Sequence, residues 1–491
     1  MDVAWGDKLG DESQGQDILG IRGLDQSIEA ALVNGITTVS QRGRYLTILP
    51  WAVGEFFDRE RQTGATVFDQ DRLRRFLFRV EYLTLACTVL DEGPGDGSAA
   101  LGTNTFGAAM IALREGQPAA VPQDRSAGML LTYFGPCRAL GLIGVGEGDE
   151  PFRLPPRGQK IWEARNTAMA GSGAQELLKA ESLDREAVRA FVPHFSLKRL
   201  ADAEAEAELL RDALTVPWEP NGPTAAEVAD SYARFGETLA WLRDAAERPL
   251  RADALLSQAW RRAAAGGSLE GGVRLAWAEY EGRRRLHYGL ELLLSAVAGT
   301  LEELSEATLD EVMDAWLAEP DLPEILIRAW PGAAEATAQG GTRAVASVPA
   351  DLWLEDGPPD GLSRQNPHAR ALAGFALVVA IARQSAALRA DGRVRDRESW
   401  GEKALAVVDS PGGESFRQTL RALAAVAVQA HLDTTFRKMA SGLRCSLRFF
   451  PEGRKLRTTG LRTGAGLSGP RLWNVIRVLQ DAGVGGLRDA A

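Results

Sequence analysis

GLSGPRLWNVIRVLQDAGV, residues 466–484, carries the clearest helical signal in the chain. Ser468 is placed to cap a helix, Pro470 suits its first turn, where an N–H would have no partner, and Gly483 offers the left-handed conformation that closes it. At about 100° per residue, Leu472, Val475, Ile476 and Leu479 share one face; Asn474 and Arg477 lie opposite, with Arg471 on the flank. Apolar side chains recur at three- and four-residue spacing through most of the chain. Leu, Ala, Arg and Glu dominate, and β-branched runs are scarce. The expected fold is mainly α, a multidomain helical protein with small α+β elements.

At 491 residues with 45% apolar content, the chain exceeds what one hydrophobic core usually organises. Breaker-rich stretches set the expected boundaries. VPWEPNGP at 216–223 separates a domain over 1–215 from a central helical domain over 224–389, and ADGRVRDRESWG at 390–401 precedes a last domain over 396–491. The Pro-, Gly- and Asp-rich residues 351–367 read as an ordered loop or linker inside the central domain. Three distant cysteines, Cys87, Cys137 and Cys445, point to a reducing compartment and away from a disulfide framework. The acidic start lacks the basic and apolar pattern of a signal peptide. The longest apolar run, residues 369–382, falls short of the roughly 20 residues that span a bilayer and reads as a buried helix. A cytoplasmic protein without membrane contact is expected.

Charge is distributed unevenly. Residues 437–481 hold ten Lys or Arg against two acids, a charge of +8 that leaves −18 on the remainder of a chain of net charge −10. Clustered cations bind phosphates by releasing condensed counterions, so nucleic acid is the leading partner class. Arg454, Lys455, Arg457 and Arg462 are expected to meet the backbone from a flanking turn, while Arg471, Asn474 and Arg477 form the outward face of the last helix. Arg pairs with guanine or phosphate, and Asn with adenine.

This element resembles the recognition half of a winged helix-turn-helix, although the residues after it leave little room for a hairpin wing; either the wing is absent or the basic arm replaces it. A second such resemblance covers 124–164. There a helix bearing Met129, Leu130, Tyr133 and Phe134 precedes two short strands, Leu142-Ile143 and Phe152-Arg153-Leu154, around the turn GVGEGDE, with another helix after them.

Nearer the N-terminus, Asp25 is placed to cap a first helix that Gly35 ends, with Ile28, Ala31 and Leu32 inward. Val39, Leu46 and Leu49 suggest a second helix that Pro50 bends or interrupts. The glycine-rich residues 91–102 lack the GKS or GKT ending of a P-loop and read as a flexible connection. Residues 182–214 read as a charged helical stretch.

The four histidines have no i, i+3 or i+4 partner among themselves, so no metal is expected, and no cofactor motif is present. Arg284, His287 and Glu291 project together, and the segment resembles the Arg-then-His motif of HEPN-type helical ribonucleases, although Arg283 to His287, like Arg364 to His368, leaves three intervening residues where that motif has four to six; the resemblance implies phosphodiester cleavage by Arg284 and His287, with His287 as acid or base. A satisfied polar seam between packed helices is the plainer account of the same residues.

NGITTVSQRGRYLTILPW, residues 34–51, resembles the opening block of uncharacterised proteins of bacterial antiviral-defence clusters. The resemblance implies a cytoplasmic component acting beside a helicase or nuclease. The expectation is therefore a non-enzymatic DNA-binding subunit of a defence or DNA-processing complex, with duplex DNA and other complex proteins as partners. A HEPN-like ribonuclease effector and a protein-interaction scaffold are the alternatives.

Overall fold

Side-chain caps start many of the helices. Asp69, Asp184, Thr308, Asn366, Ser399 and Ser415 each accept a hydrogen bond from a first-turn N–H, and Thr308/Glu311 and Ser415/Gln418 close full capping boxes. The structure is a computed structural model. It describes residues 17–64, 69–93, 97–123, 128–146, 151–219, 224–245, 250–266, 272–319, 321–339, 344–390, 399–410, 415–442 and 446–484. The chain is mainly α, 67% helix against 4% strand, with small antiparallel sheets. No helix among the described residues is long and apolar enough to cross a membrane.

Two compact units form, each from separated stretches. A central unit takes residues from 1–28 and 253–468, and an N-terminal unit takes residues from 29–252 and 469–491. The segment 396–491, read from the sequence as one domain, thus contributes to both. Its basic arm belongs to the central unit and its last helix to the N-terminal unit.

In the central unit, the 32-residue helix Val273–Leu304 packs along Pro367–Gln384. The two backbones approach closely because glycines face each other: a Cβ on Gly374 would lie 2.6 Å from the Gly289 carbonyl oxygen. The apolar run 369–382 is the buried core of Pro367–Gln384, as its composition predicts. Helix Phe416–Ala440 packs on Val273–Leu304 and on Leu309–Ala318. Residues 351–367 fold as turns and a short 3-10 helix, Leu362–Arg364, with Leu352 buried.

Ser305, in the left-handed region at φ 66°, turns the chain out of Val273–Leu304 and into strand Glu306–Ala307. That strand pairs with Lys455–Thr458, which pairs in turn with Phe449–Glu452. The sheet alternates in the manner of a half-buried surface. Ala307, Phe449 and Leu456 point into the unit, whereas Glu306, Phe450, Lys455 and Arg457 are exposed.

The N-terminal unit is organised by Tyr45–Gln62, which contacts Pro156–Ala168, Gly128–Ala139 and Gln70–Leu90. Pro50 does not interrupt this helix. Pro lacks the N–H that would bond the Leu46 carbonyl, and the Cys137 thiol reaches that oxygen instead, at 3.9 Å. Helix formation begins only at Tyr45, so Val39, expected inward, stands 56% exposed. The first helix runs Arg22–Leu32 with Asp25 inside it rather than at its cap, while Gly35 does take the left-handed conformation, at φ 82°.

The expected helix, hairpin and helix are present as Gly128–Ala139, Gly144–Val145 with Phe152–Arg153, and Pro156–Ala168. The first strand starts two residues later than expected because Leu142 and Ile143 are drawn into the core. Part of the intervening turn lies outside the described residues. This hairpin is a two-stranded sheet, and the nearby strand Ala119–Ala120 pairs with Ser182–Leu183 instead. Residues 182–214 form that strand, short helices and Glu204–Thr215 rather than one helical stretch. Within 216–223, Trp218 is tied down, its Nε1 donating to the Ala139 carbonyl at 2.9 Å. Cys87 and Cys137 are buried, unpaired thiols; Cys445 lies outside the described residues.

Candidate nucleic-acid interface

The seven residues singled out for nucleic acid divide between the two units. Arg454, Lys455, Arg457 and Arg462 belong to the central unit and are all exposed. The arm expected as a flanking turn is a β-hairpin, with Gly453 and Arg454 as a two-residue loop between its strands. Gly453 is left-handed at φ 64°, as a hairpin loop with glycine first requires. Alternation in FFPEGRKLRT around this glycine is the signal that reveals the hairpin in the sequence.

Two of these cations already have weak partners. Lys455 Nζ lies 2.8 Å from Glu306 Oε1, and Arg457 Nη1 is 3.8 Å from Glu452 Oε2, both pairs being solvent-exposed and easily exchanged for phosphate. The Glu306 hydrogen bond and charge raise the Lys455 pKa, so this side chain holds its proton more firmly than usual. Phe450, which sequence reasoning missed, is 41% exposed directly across from Arg457. An exposed aromatic ring beside guanidinium groups supplies a stacking surface within a cationic one.

Arg471, Asn474 and Arg477 sit differently from expectation. Helix Arg471–Asp481 does place Leu472, Val475, Ile476 and Leu479 in the core, but its polar face is also turned into the N-terminal unit. Asn474 is 7% exposed and its Nδ2 donates to the Thr37 carbonyl at 2.6 Å. Arg471 bonds the buried Glu29 through its backbone N–H, with its Nε 3.4 Å from Glu29 Oε2. Arg477 Nη2 donates to Ser98 Oγ at 2.8 Å. In this arrangement Asn474 presents no amide to a base edge, and the exposed large side chain of the helix is Trp473, at 49%. A helix enclosed on nearly every side uses its polar groups to satisfy its own surroundings.

Arg284 and His287 contact different partners. Arg284 is buried, its Nε donating to Glu281 Oε2 at 2.8 Å, Nη1 to the Ser468 carbonyl at 2.9 Å and Nη2 to Asp253 Oδ1 at 2.9 Å. Burial opposes its charge, but Glu281 and Asp253 raise its pKa further. His287 instead faces Asp25, Nδ1 to Oδ2 at 2.5 Å. Glu291 pairs with Arg22 at 2.5 Å and accepts from the Gly466 N–H at 3.1 Å.

The block 34–51 is also built inward. Arg44 donates from Nη1 to the Ser196 carbonyl at 2.6 Å and from Nη2 to Glu206 Oε2 at 3.1 Å, and Arg165 Nη1 reaches Glu206 Oε1 at 2.5 Å. Burial pushes the Glu206 pKa up, yet Arg165 and Arg44 together hold it down at about 2. Burial lowers the Arg165 pKa to about 10. Two arginines, one carboxylate and the carbonyls they bond form a closed structural network. Comparison with known protein families, curated proteins and solved structures gives no match.

Proposed function

We propose that the protein binds duplex DNA through the hairpin Phe449–Glu452/Lys455–Thr458. The observation that carries this reading is the exposed face of the three-stranded sheet, where Arg457 and Lys455 stand beside Phe450, with Arg454 at the loop and Arg462 beyond the second strand. Buried Ala307, Phe449 and Leu456 anchor the opposite face, so the cations are presented from a stiff support rather than a free tail.

The order of elements supports the same reading. Val273–Leu304, strand Glu306–Ala307, Leu309–Ala318, Phe416–Ala440 and then the hairpin, with its second strand central in the sheet, follow the succession of a winged helix carrying residues 319–415 as an insertion. In that arrangement the hairpin is the wing. Arg417 and Arg421 of the helix before it form similarly exposed pairs with Asp314 and Asp310 of Leu309–Ala318, so they too can exchange to the phosphate backbone beside the wing.

The test is a gel-shift titration of a short duplex with Arg454→Glu/Arg457→Glu and, separately, Asn474→Ala. Loss of binding in the first with retention in the folded second supports the proposal; undiminished binding by the hairpin variant contradicts it.

A further inference from the structure

A cleft of about 480 Å³ opens in the central unit where four chain segments converge. Gly20, Ile21 and Leu24 line it from the N-terminal stretch, Arg283, Leu286 and His287 from Val273–Leu304, Ser399 to Lys403 from the start of Trp400–Asp409, and Asp433 and Arg437 from Phe416–Ala440. Its size is that of a small-molecule site. The N-terminal wall is firmly built: Gly20 lies so close to Phe416–Ala440 that a Cβ there would sit 2.1 Å from Thr434 Oγ1. Asp17 accepts from the Gly20 and Arg22 N–H groups at 2.7 and 2.9 Å, and Lys438 Nζ donates to the Asp17 carbonyl at 2.7 Å.

His287 is the polar anchor. Its side chain is 9% exposed, and its Nδ1 faces the buried Asp25 carboxylate at 2.5 Å. That contact is an ion-pair distance without hydrogen-bond geometry, and the His287 side chain itself lines the cleft. Around it the cations Arg283, Lys403 and Arg437 line the same space. Arg283 pairs with Glu279 at 3.0 Å and Arg437 with Asp433 at 3.0 Å, both one-turn contacts that a ligand anion can share. The Lys403 ammonium rests 3.7 Å above the Trp400 ring centre. Glu402 and Asp433 are the acids of the lining, two against three cations, with Glu279 and Asp25 paired behind it.

We infer that this cleft binds a phosphate-bearing small molecule of the nucleotide class. Its phosphate would lie toward Lys403, Arg283 and Arg437 with His287 Nε2 as hydrogen-bond partner, and its planar ring would take the Trp400 face that Lys403 covers, the ammonium turning to the phosphate. Charge-assisted bonds from several directions fix a phosphate, and an indole face suits a base. His287 serves here without Arg284, which faces other partners. The inference is independent of DNA binding by the hairpin.

The experiment is calorimetric titration of the full chain with AMP, alongside adenosine and inorganic phosphate. AMP is expected to bind in the micromolar range, adenosine at least tenfold more weakly, and inorganic phosphate to compete with AMP at higher concentration. Lys403→Ala, an exposed position outside any buried pair, is expected to weaken AMP at least tenfold while leaving duplex DNA binding unchanged. His287→Asn is expected to do the same, with circular dichroism reporting that it is folded. No AMP binding by folded wild-type protein at millimolar concentration, equal affinity for adenosine, or an AMP affinity indifferent to Lys403→Ala would each overturn the inference.

Discussion

Arg42 and Asp481 form a two-pronged ion pair across 439 positions of sequence, Nε to Oδ2 at 2.9 Å and Nη2 to Oδ1 at 3.0 Å. The Gly43 N–H adds a third bond to the same carboxylate at 2.8 Å, and Arg42 also donates to the Leu197 carbonyl at 3.0 Å. Burial raises the Asp481 pKa, with Arg42 pulling it back. The last helix is therefore locked to the block 34–51 within the N-terminal unit, and its chemistry is that of a structural clamp.

Removing one member of such a pair leaves the other charge buried. Asp481→Ala is expected to destabilise the N-terminal unit by about 3–5 kcal/mol, read as a lowered urea midpoint. Were the last helix free to enter a groove, the same substitution would change stability by no more than a surface pair does, under about 1 kcal/mol.

The crossing of Val273–Leu304 with Pro367–Gln384 depends on the absence of a side chain at Gly374. Gly374→Ala gains helix propensity but drives a methyl against the Gly289 carbonyl, and a backbone oxygen cannot swing aside. A net loss of about 1–3 kcal/mol is expected in chemical unfolding. Gly107, in Thr103–Arg114 with nothing near its missing Cβ, is the control: Ala there is expected to be neutral or stabilising.

Glu81 gives the N-terminal unit a pH dependence near neutrality. Burial pushes its pKa up to about 7, against the pull of the Met129 and Gly128 N–H groups it accepts from, the first at 2.6 Å. A carboxyl raised in the folded state contributes stability that is fully present below its unfolded pKa, about 4.3, and is lost as pH rises through about 7. Urea midpoints are expected to fall between these values by the equivalent of a few kcal/mol. Glu81→Gln, which keeps the accepting oxygen, is expected to flatten that part of the profile.

Local signals in the sequence were faithful where the physics is local. Gly35, the apolar run 369–382, the inward stripe of Leu472, Val475, Ile476 and Leu479, and the helix–hairpin–helix order after Gly128 all follow from periodicity and turn chemistry. Pro50 does not interrupt its helix, and a tertiary donor, Cys137, takes the carbonyl that proline leaves open. The fate of Asn474 and Arg471 was hidden because their partners, Thr37 and Glu29, lie more than four hundred residues away in sequence. A polar arc on a helical wheel reports amphipathicity only when one side meets water. The hairpin, expected only as a flanking turn, has its signal in Gly453 and the alternation around it.

Contact between the exposed hairpin cations and a polyphosphate is read from the salt dependence of duplex binding, measured by fluorescence anisotropy. With about four phosphate contacts, the slope of log K against log salt is expected near −3 to −4 for the wild type, and Arg454→Glu/Arg457→Glu is expected to make it shallower by about two. A slope left unchanged by that variant, or affinity indifferent to salt in the wild type, would exclude phosphate contact by the hairpin.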